Sequence, residues 1–298
     1  MRVLVTGGSG FIGSHVVDEL LTKGHDVRVF DRVKPLREDV EWVNGDLLND
    51  KDVLEACKDI EAIYHLAAIA DVNVALSNFD LCLMVNEMGT MNFLKAATAE
   101  EVERVVLAST AWVYGRSKGV VKEDTPIPFP DHIYTKTKIG QEQLLYSWHQ
   151  HHALPYTILR YDIPYGPRMR SNMAISIFVR KAMRGEPLTI FGDGKQGRCW
   201  IYVKDLAEGN VAALAEDGKN QIINLAGSEF VTMNQITDAL KENFGNLTIN
   251  HEPARPHDFE GSFTSIEKAG KLLKWRPRTP FREGLRKYIS HVKNATET

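Results

Sequence analysis

The residues Thr6-Gly7-Gly8-Ser9-Gly10-Phe11-Ile12-Gly13 constrain the fold of this chain more than any other segment. They stand between a short apolar run, Arg2 to Val5, and an amphipathic stretch, Ser14 to Thr22. Glycines between a strand and a helix let the backbone turn tightly and approach a ligand, and the helix N-terminus offers N–H groups to a pyrophosphate. The segment therefore predicts a strand, a phosphate-binding turn and a helix.

The same alternation of short apolar runs and longer amphipathic stretches continues to about residue 160. The predicted strands are Arg2 to Val5, Asp26 to Phe30, Glu41 to Val43, Ala62 to His65, Arg104 to Leu107 and Tyr156 to Leu159. The predicted helices after the first are Asp50 to Ala56, Asn86 to Ala99 and Tyr134 to about Gln150. This pattern indicates an α/β fold with a doubly wound parallel sheet, the Rossmann arrangement.

Turn signals interrupt this regularity after Pro164, where glycine and proline recur between shorter elements. We therefore predict a dinucleotide-binding domain over residues 1–164 and a smaller α/β C-terminal substrate lobe over residues 165–298. Ile222 to Leu225 again has the character of a buried strand. Within about residues 198–226 the chain is expected to return to the first sheet.

Composition excludes several classes of protein. Hydrophobic residues make up 43% of the 298, and the formal net charge of −3 offers no overall attraction to nucleic acid or an anionic membrane. Cys57, Cys82 and Cys199 have no metal-binding spacing, so we expect no bound metal. The first residues run directly into the predicted strand and no apolar stretch is long enough to span a bilayer. These features predict a cytoplasmic enzyme without a signal peptide.

Asp31 follows the second predicted strand, about 20 residues after the glycine turn. A carboxylate at this point accepts hydrogen bonds from ribose hydroxyls and repels a 2′-phosphate, which favours NAD over NADP. Arg32, the next residue, leaves contact with a phosphate open as an alternative. Asp46, after the third strand, is a weaker candidate for contact with the adenine.

Tyr134 and Lys138 lie four residues apart at the start of a predicted helix, and therefore on one face of it. A phenol has an ordinary pKa near 10 and is a poor base at neutral pH. A nearby ammonium and a positively charged nicotinamide ring would favour the phenolate. Beside a dinucleotide-binding turn, this pair predicts a catalytic tyrosine with a supporting lysine.

These motifs resemble those of the extended short-chain dehydrogenase/reductase family, in its branch of NAD-dependent sugar-nucleotide epimerases and dehydratases. The resemblance covers nearly the whole chain. It rests on Thr6, Gly7, Gly10 and Gly13, on Tyr134 and Lys138, on His65-Leu66-Ala67-Ala68 and on Asn86. A further segment, Ser109 to Gly115, resembles the one that carries a catalytic hydroxyl, which the register assigns to Thr110 with Ser109 as the alternative.

The resemblance implies a set of residues that bind NAD. They are Gly7, Gly10, Phe11, Ile12, Gly13, Asp31, Arg32, Asp46, Leu47, Leu66, Ala67, Ala68, Asn86, Ser109, Tyr134, Lys138 and Tyr161. The implied catalytic residues are Tyr134, Lys138 and Thr110.

The two residues after Thr110 separate the chemistries within this family. Dehydratases and uronate decarboxylases carry acidic residues there, whereas this chain has Ala111 and Trp112. Eliminating water needs an acid and a base besides the tyrosine, while epimerisation does not. The resemblance therefore implies epimerisation of a UDP-sugar at C4. Tyr134 would take the proton of the C4 hydroxyl, with help from Thr110. NAD would hold the C4 hydride until it returns to the other face of the sugar.

The resemblance also implies that the second lobe binds the nucleotide diphosphate through Asn172, Arg198 and Arg255, and that Asp258 is a further substrate-binding residue. Arginine suits this task because its guanidinium can engage two oxygens at once. Ile163 stands where the family usually has Asn or Thr beside the sugar nucleotide. Arg170 matches an arginine that meets the sugar carboxylate in uronate-type 4-epimerases, so UDP-glucuronate rivals the preferred pair, UDP-glucose and UDP-galactose.

Two other functions remain open from the sequence, a reductase of 4-keto sugar nucleotides and a regulatory protein that senses NAD without catalysis. The tyrosine–lysine pair argues against the regulatory protein. The resemblance further implies a homodimer formed by the helices that contain Asn86 and Tyr134.

Overall fold

The computed structural model describes residues 1–254 and 260–296. Seven strands form a central parallel sheet. Their bounds are β1 (Arg2–Thr6), β2 (Asp26–Asp31), β3 (Glu41–Asn44), β4 (Ala62–His65), β5 (Arg104–Thr110), β7 (Tyr156–Tyr161) and β12 (Gln221–Leu225). Their order is β12-β7-β5-β4-β1-β2-β3, so the direction of winding reverses between β1 and β4. In a sheet of this kind, ligands bind at the carboxyl ends of the strands beside that reversal.

Eight shorter strands pair two by two outside this sheet. They are β6 (Val120–Val121), β8 (Pro164–Tyr165), β9 (Leu188–Phe191), β10 (Gly197–Arg198), β11 (Ile201–Tyr202), β13 (Val231–Thr232), β14 (Ile249–Glu252) and β15 (Phe263–Thr264).

The α-helices cover the sheet and build the second lobe. They are α1 (Phe11–Thr22), α2 (Asp50–Cys57), α3 (Val72–Ser77), α4 (Phe79–Leu83), α5 (Gly89–Ala99), α6 (Ile133–His152), α7 (Ala174–Met183), α8 (Val203–Ala212), α9 (Met233–Phe244), α10 (Glu267–Leu272) and α11 (Phe281–Thr296). Short 3-10 turns occupy Ala111–Tyr114 and Glu216–Gly218. Within the two described stretches, none of the helices combines the length and apolar character that crossing a membrane requires.

The predicted parallel sheet is confirmed, and its register brings the ends of several strands to one edge. Thr6 pairs with Phe30 on one side and His65 on the other, while Thr110 pairs with Tyr161. Strands β2, β5 and β7 each extend beyond their predicted ends. Most of the extra residues are polar or aromatic, and they lie at this edge.

The predicted helix from Asn86 to Ala99 is only partly correct. Its first residues form a π-helical turn, Met84–Met88, and α5 begins at Gly89. The wider turn directs the Asn86 side chain to the backbone of Ile69, where the amide accepts from the Ile69 N–H (2.8 Å) and donates to its carbonyl (3.1 Å). A π-turn thus holds the loop after β4.

Among the described residues there are three large apolar clusters, one on each face of the sheet and a third in the second lobe. In the third, α7, α9 and α11 pack together around Phe178, Leu240 and Leu285. Strand β12, Gln221–Leu225, lies beside β7 with parallel pairing over its whole length. The chain therefore returns to the central sheet after passing through part of the second lobe.

Candidate active site

The glycine turn has a geometry that only glycine tolerates at two of its positions. Gly7 has φ +70°, a backbone region that L-residues with side chains disfavour. A Cβ atom on Gly13 would lie 2.1 Å from the Gly7 carbonyl oxygen. The turn therefore packs directly under the first turn of α1, whose opening N–H groups have no acceptor within the helix. Gly7, Gly10, Phe11, Ile12 and Gly13 all line a cavity here, and this arrangement fits a pyrophosphate.

The cavity lies at the carboxyl edge of the sheet and has a volume of about 610 Å³. This is within the usual range for sites that enclose a small molecule. The predicted NAD-binding residues Asp31, Arg32, Asp46 and Leu47 line one end of it. Leu66, Ala67, Ala68, Ser109, Tyr134, Lys138 and Tyr161 continue the wall.

Asp31 is oriented by the backbone around it. One oxygen accepts from the Ser9 N–H and the other from the Val33 N–H, each at 3.1 Å. Arg32 is largely exposed and its guanidinium lies 3.8 Å from the Asp46 carboxylate. Since Arg32 already faces a carboxylate, this end of the cavity favours ribose hydroxyls over a 2′-phosphate.

The catalytic residues predicted from the sequence meet at the middle of the cavity. Tyr134 lies in the first turn of α6, which is capped by the His132 ring, and Thr110 ends β5. The Thr110 hydroxyl lies beside the Tyr134 phenol. Lys138, one turn further along α6, is buried and donates to the Ala108 carbonyl at 2.8 Å.

Burial dominates the ionisation of this pair. It raises the pKa of Tyr134 to about 12, against the opposing effects of the Arg170 charge and the Thr110 hydrogen bond. It also lowers the pKa of Lys138 to about 8, although the Glu142 carboxylate acts in the other direction. Arg170 and Thr110 are therefore the groups that favour the phenolate. The sequence had led us to expect this role for Lys138. The phenol is ready to donate a proton at neutral pH.

Ser109, the alternative to Thr110, is occupied elsewhere. Its hydroxyl donates to the buried carboxylate of Glu142, which also accepts from Arg160 Nε (3.0 Å) and Nη2 (2.8 Å). Thr110 is thus the hydroxyl that faces the phenol. The Glu142–Arg160 pair holds the end of β5 and has no signature in the sequence, because Arg160 lies within an otherwise apolar strand.

Tyr161 and Ile163 line the substrate side, and between them stands Asp162, a buried carboxylate that the sequence analysis did not single out. Burial raises its pKa. It accepts hydrogen bonds from the Ile163 N–H (2.8 Å), the Thr264 hydroxyl (2.7 Å) and the Cys199 N–H (3.3 Å). Asp162 therefore joins the end of β7 to two segments of the second lobe.

Arg170 and Asn172 also line the cavity, and both contact Asp71 from the loop after β4. The Asn172 amide donates to the Asp71 carboxylate at 2.6 Å, and the Arg170 guanidinium lies 3.6 Å from the same oxygen. Asp71 is another cavity residue that the sequence analysis missed. A loop aspartate gives no local signal of a partner about 100 residues away.

Two predicted residues, Asn86 and Arg198, are not among the described residues that line the cavity. Asn86 acts through Ile69, and Arg198 Nη1 donates to the Gly197 carbonyl at 2.6 Å. Arg255 and Asp258 lie outside the described residues.

The glycine turn, the carboxylate at the end of β2 and the tyrosine–lysine pair define an NAD-dependent enzyme of the extended short-chain dehydrogenase/reductase type. The chain belongs to the NAD-dependent epimerase/dehydratase family, whose model matches residues 3–226.

Similar proteins include enzymes with different reactions. A putative UDP-glucose 4-epimerase of Methanocaldococcus jannaschii is 33% identical, with 99% of this chain and 100% of the relative covered. A UDP-glucuronic acid decarboxylase of Xenopus tropicalis is also 33% identical, over 99% of this chain and 73% of its own. The crystal structure of UDP-glucuronic acid 4-epimerase from Bacillus cereus with UDP-glucuronic acid and NAD matches this chain with a TM-score of 0.92 and 32% identity. The match covers 99% of this chain and 100% of that one. The named relatives of this chain thus include NAD-dependent UDP-sugar 4-epimerases and UDP-glucuronic acid decarboxylases.

Proposed function

We propose that this protein is a UDP-sugar 4-epimerase that interconverts UDP-glucose and UDP-galactose. The observation that carries the proposal is the placement of Thr110, Tyr134 and Lys138 around one point of the cavity, without an acidic side chain at the two positions after Thr110. When bound, NAD supplies a reversible hydride acceptor for C4 of the sugar. The residues of the chain supply proton transfer and orientation.

Tyr134 is placed to exchange a proton with the C4 hydroxyl, and the Thr110 hydroxyl lies beside the Tyr134 phenol. The positive charge of Arg170 stabilises negative charge that develops on the phenol. Because the hydroxyl proton and the C4 hydride are returned within one turnover, no other acid or base is needed.

The residues after Thr110 argue against dehydration and decarboxylation. Ala111 has no titratable group, and the Trp112 ring packs edge-on against the Tyr134 ring with centroids 6.4 Å apart. The second candidate, epimerisation of UDP-glucuronate, is favoured by the position of Arg170 on the cavity wall.

The test is to incubate the purified protein with UDP-glucose, without added cofactor, and to follow UDP-galactose by NMR. We expect interconversion to an equilibrium mixture and no net NADH. Stoichiometric consumption of added NADH would identify a reductase instead. Binding of NAD without conversion of any UDP-sugar would identify a regulatory protein.

The matched variants are Tyr134→Phe and Tyr146→Phe, two tyrosines of the same helix. Tyr146 is exposed and does not line the cavity. Only Tyr134→Phe should abolish turnover, and it should leave UDP-sugar binding intact. Substantial activity of Tyr134→Phe would contradict the assigned role.

We also propose that the protein is a homodimer formed through the outer face of α3 to α6. This face carries exposed apolar side chains. They are Val74, Leu76, Phe79, Leu81, Met84, Met88 and Tyr146. A group of exposed apolar side chains on neighbouring helices is typical of protein interfaces. Sedimentation equilibrium should give the mass of two chains, and Phe79→Glu should give one, whereas Leu36→Glu, at an exposed apolar residue in the loop between β2 and β3, should not change the mass.

A further inference from the structure

Asp71 is held in one position at the sugar end of the cavity. It precedes α3, and its Oδ1 accepts from the Asn73 N–H (2.9 Å) and the Val74 N–H (3.3 Å). Its Oδ2 accepts from the Asn172 amide and faces Arg170. With four partners around two oxygens, the carboxylate cannot turn away from Arg170 without losing hydrogen bonds.

The carboxylate of Asp71 remains charged in this environment. Burial opposes its ionisation, but the Asn172 hydrogen bond, the two backbone N–H groups and the Arg170 charge together hold its pKa below the usual value. Its side chain is 17% exposed and that of Arg170 is 46% exposed. The protein therefore places its own anion beside the arginine on the cavity wall.

This ion pair belongs to the part of the cavity where the reaction takes place. Burial raises the pKa of the Tyr134 phenol and the Arg170 charge opposes this rise, so the guanidinium acts on the reacting group. Trp112 contributes an aromatic surface beside the same phenol. A sugar with its C4 hydroxyl at Tyr134 would place its neighbouring carbons near these side chains.

We propose that Asp71 is a specificity residue that neutralises Arg170 and disfavours a sugar with a carboxylate, so that the site accepts UDP-hexoses whose C6 is uncharged. This inference rests on the proposed function. A uronate at Arg170 would bring a second carboxylate close to Asp71, and like charges in a partly buried site repel. A neutral hydroxymethyl group avoids this repulsion.

The experiment compares kcat/KM for UDP-glucose and UDP-glucuronate in the wild type, Asp71→Asn and Asp71→Asn/Arg170→Ala. Asparagine has the shape of aspartate and is an equally good helix cap, so the change removes the charge and keeps the fold. Asp238→Asn, at a carboxylate on α9 paired with Lys241, controls for the change in net charge.

We expect the wild type to prefer UDP-glucose. Asp71→Asn should raise the ratio of kcat/KM for UDP-glucuronate over UDP-glucose by roughly tenfold, the effect of one like charge in a partly exposed site. The additional Arg170→Ala change should remove this gain, and Asp238→Asn should leave the ratio unchanged. A wild type that prefers UDP-glucuronate, or a ratio that Asp71→Asn does not alter, would overturn the assignment.

Calorimetric binding of both UDP-sugars to Tyr134→Phe, with and without Asp71→Asn, tests the same specificity without turnover. A preference for UDP-glucose that Asp71→Asn relaxes supports the role of Asp71. A wild type that converts neither sugar refutes the epimerase proposal, while conversion of both with an unaltered ratio refutes only the role of Asp71.

Discussion

Replacing Glu142 by glutamine should destabilise the protein far more than breaking an ion pair of the same length at the surface. Glu142 and Arg160 are 2.8 Å apart, with side chains only 6% and 3% exposed. Glu267 and Lys122 are 2.9 Å apart, with side chains 79% and 52% exposed. The two pairs differ in burial and hardly in distance, so a comparison isolates the effect of removing charges from water.

The magnitudes follow from what each change leaves behind. In Glu142→Gln an amide replaces one acceptor oxygen, and the Arg160 charge stays buried beside the Tyr114 hydroxyl and the Glu123 carbonyl. Losing one partner of a buried pair costs about 3–5 kcal/mol. In Glu267→Gln the lysine returns to water, at a cost of about 0–1 kcal/mol. For a chain of this size 1 kcal/mol corresponds to about 2 °C in melting temperature, so the expected losses are roughly 6–10 °C and about 2 °C or less.

Thermal and urea unfolding, followed by circular dichroism, measure both variants against the wild type. Glu142→Leu/Arg160→Met should recover much of the loss, since it removes both charges and keeps similar volumes. Equal losses in Glu142→Gln and Glu267→Gln would refute the reasoning. In that case Arg160 would find solvent or another partner once the carboxylate is gone.

Three further predictions concern the cofactor turn, a buried histidine and the catalytic lysine. Gly13→Ala should weaken NAD binding in calorimetry, because the alanine Cβ would lie 2.1 Å from the Gly7 carbonyl oxygen. Gly24→Ala should bind NAD normally, because a Cβ there meets nothing within 4 Å. Equal NAD affinities of the two variants would contradict this prediction. Burial lowers the pKa of His65 to about 3, so only the unfolded chain takes up this proton below pH 6.5, and this residue should lower the free energy of unfolding by about 2 kcal/mol between pH 7 and pH 5. Burial also lowers the pKa of His15 to about 4, so His15 adds a fall of similar size. His65→Gln should remove only the share of His65 from the slope, and an unchanged slope would show that other groups cause all of it. Burial lowers the pKa of Lys138 to about 8, so the dependence of kcat on pH should show a step near pH 8. Lys138→Met should remove this step. A step that persists in this variant would belong to another group.

Elements with a local pattern could be predicted from the sequence. The central strands were predicted because each is a run of apolar residues next to a turn signal, and Tyr134 with Lys138 was found because a helix repeats every three to four residues. The glycine turn was recognisable because its spacing reflects the backbone path.

Residues that act through distant partners could not be predicted in this way. Asp71 faces Asn172 across 101 positions, and Asp162 accepts from Thr264 across 102. Their roles come from how the second lobe packs on the sheet, and nothing in the neighbouring residues signals it. The π-helical turn at Asn86 was missed for a related reason, since it is favoured by the contact of its side chain with Ile69.

The central claim is that Tyr134, Thr110 and Lys138 support a reversible oxidation at C4. It is tested most directly with UDP-glucose that carries deuterium at C4, incubated with the purified protein in ordinary water. NMR and mass spectrometry of the product should show UDP-galactose that retains the deuterium at C4. Loss of the label to water, or its appearance in released NADH without UDP-galactose, would contradict the account.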